Sequence, residues 1–193
     1  YYDWFKTPIY ATDSVYKEIS INLSRSFNSL TWSAGVNYAV KQWILKLNIG
    51  KSFRVPIPKE LGTDGVNYHI FRYEKGNPDL KPEESYQVVA GVHWGNDRLS
   101  VQFDPYLNYF PNYIYMNPTP DYYEGLQWYF YTQSRVIRYG AELQLNWKIL
   151  PSLSTELKGE YLYAEQLSGA KKGYTLPFST PWSADATIKY DFC

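Results

Sequence analysis

The sequence has one cysteine, no net charge and no long apolar run, and each shortage excludes a class of protein. Cys193 stands alone at the end, which excludes a disulfide framework and a thiolate metal cluster. Nineteen basic residues balance nineteen acidic ones, so nucleic acid is not expected as a partner. No apolar run reaches the length of a transmembrane helix.

The motifs of common enzyme classes are also missing. There is no Gly-x-Ser-x-Gly elbow, no Walker loop, no Cys-His pair and no His-Glu-x-x-His. The neighbouring carboxylates Glu83 and Glu84 fall on opposite faces of a predicted strand, so they do not form an acid–base pair. We therefore expect no catalysis, no cofactor and no metal centre.

Aromatic residues, by contrast, are abundant. They make up 19% of the chain, with 21 tyrosines and 7 tryptophans. A soluble core does not need this many, whereas the boundary between water and lipid uses them. The aromatic content indicates a protein at a membrane.

Apolar and polar residues alternate with a period of two over most of the chain, which predicts strands with one apolar and one polar face. Residues 139–149 and 182–192 show this pattern most clearly. We expect all-β, antiparallel structure. The predicted strands are residues 17–26, 30–40, 43–53, 84–95, 98–110, 127–149, 153–165 and 181–193. Pro105 predicts a β-bulge inside one of them.

The connections between these strands differ in length. Those at residues 41–42, 95–97 and 150–152 are tight and fall at one end of the sheet, whereas 54–83, 111–126 and 166–180 are long. Outer-membrane barrels have this asymmetry. Aromatic residues at the tight-turn end of the apolar faces predict a girdle: Trp43, Trp94, Trp147 and Phe192. The charged faces are predicted to point into a lumen, the alternative being the solvated face of a soluble sandwich.

Four stretches together resemble a known family. They are GKSFRVPIPKEL (residues 50–61), GNPDLKPEES (76–85), RYGAELQLNW (138–147) and LPFSTPWSADATIKYDF (176–192). In order and spacing they are similar to the C-terminal β-barrel of TonB-dependent outer-membrane transporters. The first two contain the family motif positions, which we interpret as structural: Phe53, Arg54, Pro56, Gly76, Asn77, Pro78, Leu80, Pro82 and Glu83.

These motif positions suggest how the chain re-enters the barrel after a long loop. Gly76 is predicted to take a positive φ, and Pro78 and Pro82 favour extended backbone at the residues before them. The chain would then leave the loop already aimed as a strand.

The resemblance implies a fold, a location and a function. It implies that residues 1–193 are about eight strands of a plugged barrel of about 22 strands, without the plug domain and the terminal strands. It implies ligand-gated uptake of a scarce nutrient across the bacterial outer membrane, energised through TonB. The implied partners are the TonB complex, the plug, the lipid bilayer and a small ligand, such as a ferric siderophore, haem or a metal ion.

Two loops hold the candidate ligand-binding residues. Tyr68, His69, Arg72 and Tyr73 combine groups that suit iron or an anionic chelate, although an ordinary exposed loop explains them as well. Tyr122 and Tyr123 lie in a tyrosine-rich stretch that either stacks on flat ligands or marks the membrane interface. His93 is predicted to be a solvated residue of the barrel wall.

Two other classes of protein are consistent with the alternation. One is a small, complete eight-stranded outer-membrane barrel that serves as an adhesin or anchor. The other is a soluble, aromatic-rich carbohydrate-binding sandwich. The sequence starts without methionine or a signal peptide, which favours a piece of a longer transporter over both.

Overall fold

The computed structural model describes residues 3–12, 18–176 and 179–192, and strands dominate them. The helix is α1 (Pro58–Gly62). The strands are β1 (Asp3–Thr12), β2 (Glu18–Phe27), β3 (Trp32–Val40), β4 (Trp43–Arg54), β5 (Asp64–Asn67), β6 (Arg72–Lys75), β7 (Glu83–Gly95), β8 (Leu99–Tyr123), β9 (Leu126–Leu150), β10 (Leu153–Gln166) and β11 (Trp182–Tyr190).

The chain forms two compact units, which are described separately. The first unit contains Tyr1–Leu30, Phe53–Glu84 and Pro111–Arg135. The second contains Thr31–Ser52, Ser85–Phe110 and Val136–Cys193. Long strands such as β8 and β9 contribute residues to both.

A meandering sheet makes up the second unit, with the strand order β3-β4-β7-β8-β9-β10-β11. Neighbouring strands such as β3 and β4, and β9 and β10, pair antiparallel. Tight turns join β3 to β4, β7 to β8 and β9 to β10. Backbone bonds link neighbouring turn regions, from Gly95 N to Gln42 O and from Lys148 N to Arg98 O. The predicted antiparallel all-β fold, with its tight turns at one end, is confirmed.

The two faces of this sheet differ sharply in polarity. On one face, cross-strand pairs such as Val36–Leu47 and Val88–Leu107 are apolar, and Leu47, Val88 and Leu107 are all more than 40% exposed. On the other face, Lys158 lies opposite both Gln144 and Asp185. A broad, exposed apolar face requires a lipid or protein neighbour.

Aromatic side chains lie beside the tight turns of the second unit. The rings of Trp43 and Trp94 are 6.3 Å apart, next to the turns that precede β4 and follow β7. Trp147 is exposed near the end of β9, and Phe192 packs edge-on against Tyr190. These are the four positions of the predicted girdle.

In the first unit, the predicted loop 54–83 is folded. It contains α1 and a hairpin of β5 and β6. Residues Tyr73–Lys75 of β6 then pair in parallel with Trp128–Phe130 of β9. A small core of Leu61, Leu80 and Ile114, with Tyr131 packed against it, holds these segments together.

Two sequence predictions about the strands were wrong. The segment 111–126 is not a loop: β8 continues to Tyr123, and a two-residue turn at Glu124 (φ +49°) and Gly125 (φ +80°) leads into β9. Such a turn matches the twist of a hairpin, and tyrosines favour strands despite the prolines that suggested a loop. The predicted strand 17–26 is observed as β2, which pairs with β1. The β6–β9 ladder is parallel, in contrast to the all-antiparallel prediction.

Pro105 does not produce the predicted bulge. The register between β7 and β8 is the same on both sides of it, from Tyr86–Tyr109 to Gly95–Ser100. Only the pairs at Ala90 and Gly91 are missing from the ladder. Because proline has no N–H to donate, it interrupts the pairing without inserting a residue. The predicted strand 181–193 ends at Tyr190, and Cys193 lies outside the described residues.

Candidate ligand-binding site

The motif residues of the first unit form a charged network around Arg54. Its Nε and Nη2 atoms each donate to the Glu83 carboxylate at 3.2 Å, and its Nη1 donates to Glu60 at 2.9 Å. Glu83 also accepts from the backbone N–H of Ile114 at 2.7 Å, and Glu60 from that of Ile57 at 3.0 Å. Both carboxylates are buried. The motif therefore joins β4, α1, β7 and β8.

Glycine is required at position 76 because the backbone there passes close to the end of α1, not because it has a positive φ. A Cβ built there would lie 2.6 Å from the backbone nitrogen of Gly62 and 2.7 Å from the carbonyl carbon of Leu61. Its N–H donates to Thr63 O at 2.6 Å. The positive φ predicted from the sequence is absent. The chain passes so tightly against the end of α1 that no side chain fits.

The rest of the motif is held mainly through backbone atoms. Asn77 Oδ1 accepts from the N–H of Asp79 at 2.9 Å, which forms a turn. The Gln133 side chain binds Lys81 at two points, accepting from its N–H and donating to its carbonyl. Asn112 donates to the carbonyl of Pro82. These contacts fix the direction in which the chain enters β7.

Of the predicted ligand residues, Tyr73 and Tyr123 are brought together. Their ring centroids are 4.8 Å apart, and Tyr73 also stacks on Trp128 at 5.2 Å. The Tyr73 hydroxyl donates to Asp64 at 2.6 Å. Burial, aided by Asp64, raises the pKa of Tyr73, so this phenol is neutral at physiological pH. Its ring presents an aromatic surface to Tyr123 and Trp128.

Arg72 lies beside this aromatic cluster and is oriented by a buried carboxylate. Its Nε donates to Glu74 Oε1 at 2.8 Å, and its guanidinium lies 4.7 Å from the centre of the Tyr129 ring. Lys59 Nζ contacts the other carboxylate oxygen of Glu74 at 2.6 Å. Glu74 is 2% exposed. Burial alone would raise the pKa of Glu74, but hydrogen bonds from Lys59, Arg72 and Asn67 lower it, so the carboxylate is ionised.

The remaining predicted ligand residues point to solvent. Tyr68 is 75% exposed and Tyr122 67% exposed. His69 is also exposed, and its backbone N–H donates to Asn67 Oδ1 at 3.2 Å. In the part of the chain that the structure describes, these three side chains make no hydrogen bond or ring contact. The six predicted residues therefore do not form a single group.

Sequence reasoning missed Lys59, Glu74, Trp128 and Tyr129. Lys59 and Glu74 are fifteen positions apart in a predicted loop. They come into contact because this segment folds into α1 and the β5–β6 hairpin. Trp128 and Tyr129 meet β6 through its parallel pairing with β9. The stretch RYEK, in which Glu74 stands between Arg72 and Lys75, was a local signal in the sequence.

The polar face of the second unit contains His93, which is not simply solvated. Its Nε2 lies 2.8 Å from Asp104, which also accepts from Gln102 at 2.5 Å. Among the described residues, no group of three or more His, Cys, Asp or Glu side chains is arranged to hold a metal ion. His93 is better understood as a hydrogen-bonded member of this face.

A family model described as "TonB dependent receptor-like, beta-barrel" matches residues 1–192. The chain belongs to this family. The seven-strand meander, with one exposed apolar face and one charged face, is the structure that this membership requires. The family consists of receptors and transporters rather than enzymes. The rival small barrel and soluble sandwich are thereby excluded.

Solved structures have the same fold. The copper transporter OprC is 18% identical, with a TM-score of 0.73 over 89% of this chain and 25% of its own. The siderophore receptor PirA from Pseudomonas aeruginosa is 15% identical, with a TM-score of 0.64 over 86% of this chain and 31% of its own. The ferric yersiniabactin uptake receptor FyuA from Yersinia pestis is 13% identical, with a TM-score of 0.58 over 90% and 25%.

The chain spans about a quarter to a third of the length of these solved structures. Identities at this level establish the fold alone. No curated protein matches the sequence significantly. Within the described ranges, no helix is long and apolar enough to cross a membrane.

Proposed function

We propose that this chain forms part of the barrel of a TonB-energised importer in the bacterial outer membrane. The cargo would be a scarce nutrient such as a ferric siderophore, haem or a metal ion. A plug domain, the TonB complex and the lipid bilayer would be its partners. Residues 1–193 would supply an arc of the barrel wall.

The observation that carries this proposal is the polarity of the second unit. Its apolar face is exposed over seven neighbouring strands, and its other face carries Lys158, Glu160 and Asp185. Charged residues are costly against lipid but not in a water-filled or plugged lumen. The arrangement suits a wall with lipid outside and an aqueous or protein-filled interior.

We further propose that cargo is recognised in the first unit. That unit is built largely from the segments predicted to be external loops. Tyr73, Tyr123 and Arg72 offer a ready-made aromatic and cationic surface there. Tyr68, His69 and Tyr122 are exposed, and their side chains make no hydrogen bond or ring contact with one another. Each of them would contact the cargo individually.

Uptake in the native bacterium tests the transport proposal. The gene is deleted and replaced by the full-length native gene, and cells are starved of iron or copper. We expect uptake of radioactive iron or copper to be restored, and to disappear when TonB is deleted or a protonophore is added. Uptake that is unchanged by TonB deletion and by the protonophore would contradict energised transport.

Alanine substitutions then test the predicted cargo residues in the same cells. We expect Arg72→Ala and Tyr123→Ala to lower uptake more than Tyr68→Ala, His69→Ala or Tyr122→Ala. Tyr174→Ala is the matched control, because Tyr174 is a 67% exposed tyrosine of the second unit. Equal losses for Tyr174 and Tyr123 would refute recognition by the first unit.

A further inference from the structure

Two cations in the first unit share a single buried carboxylate. Lys59 Nζ lies 2.6 Å from Glu74 Oε2, and Arg72 Nε lies 2.8 Å from Glu74 Oε1. One negative charge thus faces two positive charges, which leaves one positive charge in excess. The two cations contact different oxygens of the same carboxylate, so Glu74 holds both of them in one small region of the first unit.

Glu74 is buried and already has three partners, whereas the two cations have donors that are not used. Its oxygens accept from Lys59, Arg72 and the amide of Asn67 at 3.0 Å. Arg72 uses only Nε in these contacts, and its side chain is 22% exposed. Lys59 is 47% exposed and uses one of its three donors. Free N–H donors of both residues therefore remain available to a ligand.

The Arg72 side chain is also oriented before any ligand arrives. Glu74 accepts from its Nε atom, and its guanidinium carbon lies over the Tyr129 ring, 4.7 Å from the ring centre. A guanidinium fixed in this way loses little freedom on binding an oxyanion, and its planar fork matches the geometry of a carboxylate or phosphate.

Three other carboxylates of the first unit, Glu60, Glu83 and Asp64, have partners of their own. Glu60 and Glu83 are both bound to Arg54, and each also accepts from a backbone N–H. The carboxylate of Asp64 accepts from the Tyr73 hydroxyl. The neighbouring carboxylates are therefore occupied, and the excess positive charge at Lys59 and Arg72 is left for an external anion.

We propose that Lys59 and Arg72, positioned by Glu74, form an oxyanion-binding site for a carboxylate- or phosphate-bearing part of the cargo. This assignment rests on the proposed transport function, because it names the chemistry of the molecule that the importer captures. Arg72 and Lys59 contact the anion, and Glu74 acts through them as a positioning residue.

Titration calorimetry on the full-length native protein in detergent tests the site. Citrate and inorganic phosphate are the probes, and glucose is the neutral control. We expect Arg72→Gln to weaken binding of the preferred anion by at least about tenfold, the size of one lost charged hydrogen bond. Lys75→Gln is the matched control. Lys75 is on the same strand as Arg72, but its Nζ lies over the Trp128 ring of β9 and is not bonded to Glu74. We expect it to change affinity less than twofold.

Glu74→Gln distinguishes the positioning of Lys59 and Arg72 by Glu74 from the effect of its negative charge on anion binding. It adds one net positive charge, so an electrostatic effect alone would tighten anion binding, whereas loss of positioning weakens it. We expect weaker binding, and tighter binding would overturn the proposal. Equal losses of anion affinity in Arg72→Gln and Lys75→Gln would also overturn the proposal. This comparison does not depend on whether Glu74→Gln folds normally.

The two anions identify the group that is bound. Tighter binding of citrate assigns the site to carboxylates, and tighter binding of phosphate assigns it to phosphate groups, including those of lipid headgroups. Energised uptake that persists unchanged in Arg72→Gln would refute the anion site alone. Uptake that does not depend on TonB in the unaltered protein would refute the transport proposal instead.

Discussion

The two units of this chain are stabilised in different ways. In the second unit, a repeated alternation of apolar and polar residues specifies every strand and its register. In the first unit, a few buried charges and one close backbone approach specify the fold: Arg54 with Glu83, Glu74 with its two cations, and Gly76 against α1. A regular pattern tolerates single changes, whereas a fold that depends on a few specific contacts does not.

Removing the Glu83 carboxylate gives the sharpest test of this difference. Glu83→Ala leaves Arg54 without its bidentate partner and the N–H of Ile114 without an acceptor. We expect about 4 kcal/mol of lost stability in the first unit. Hydrogen exchange of the full-length protein should show faster exchange at residues 58–75 and unchanged exchange in β10. An equal loss of protection in both units would contradict the view that the Arg54–Glu83 contact stabilises the first unit specifically.

A charge on the apolar face tests the second unit. Leu143→Arg places a cation on the exposed apolar face of β9, and we expect it to cost about 3 kcal/mol if that face lies in lipid. Glu142→Arg, its neighbour on the polar face, is the control and should be nearly neutral. Unfolding in lipid vesicles provides the measurement, and similar costs for both variants would count against a lipid-facing side.

Glycine substitutions compare the units directly. Gly76→Ala forces a methyl group to within 2.6 Å of backbone, and we expect a loss of about 2 kcal/mol. Gly159→Ala in β10 meets nothing closer than 4.0 Å and should be tolerated. Comparison of their denaturation midpoints checks this expectation. A harmless Gly76→Ala would mean that α1 can move away from the chain.

Acid should affect the first unit before the second, although this is the smallest effect. The pKa of Glu74 is lowered in the folded protein, so its ionised form stabilises that fold. This contribution is present above the ordinary glutamate value of about 4.5 and is lost as the pH falls through the lower folded value. Hydrogen exchange of β6 between pH 6 and about pH 3 checks this expectation. Glu74→Gln should remove the pH dependence, and an unchanged profile would exclude Glu74 as its source.

The difference between the units also explains what could be predicted from the sequence. Strands such as β4 and β10 follow from their alternation alone, and the tight turns follow from residues such as Asn96 and Pro151. The extension of β8 through Tyr113 and Tyr115 was hidden by Pro111 and Pro118, which suggested a loop. Strand propensity and pairing outweighed these prolines.

The candidate site could be predicted only in part. Arg72, Tyr73 and Tyr123 were recognisable as residues that suit a ligand. Their supports, Lys59, Glu74, Trp128 and Tyr129, depend on a parallel pairing between two segments far apart in the sequence. No local pattern specifies such a contact, because parallel strands need a long connection that leaves no periodic signal.

The pairing of β6 with β9 sets an order of assembly. Tyr73 can align with Trp128 only after the intervening chain has passed through β7 and β8 and returned as β9. Closing so long a loop is entropically costly, so local hairpins such as β3–β4 form sooner. We therefore expect the proposed Arg72 site to be completed late in folding, so that intermediates with only the hairpins formed would lack it.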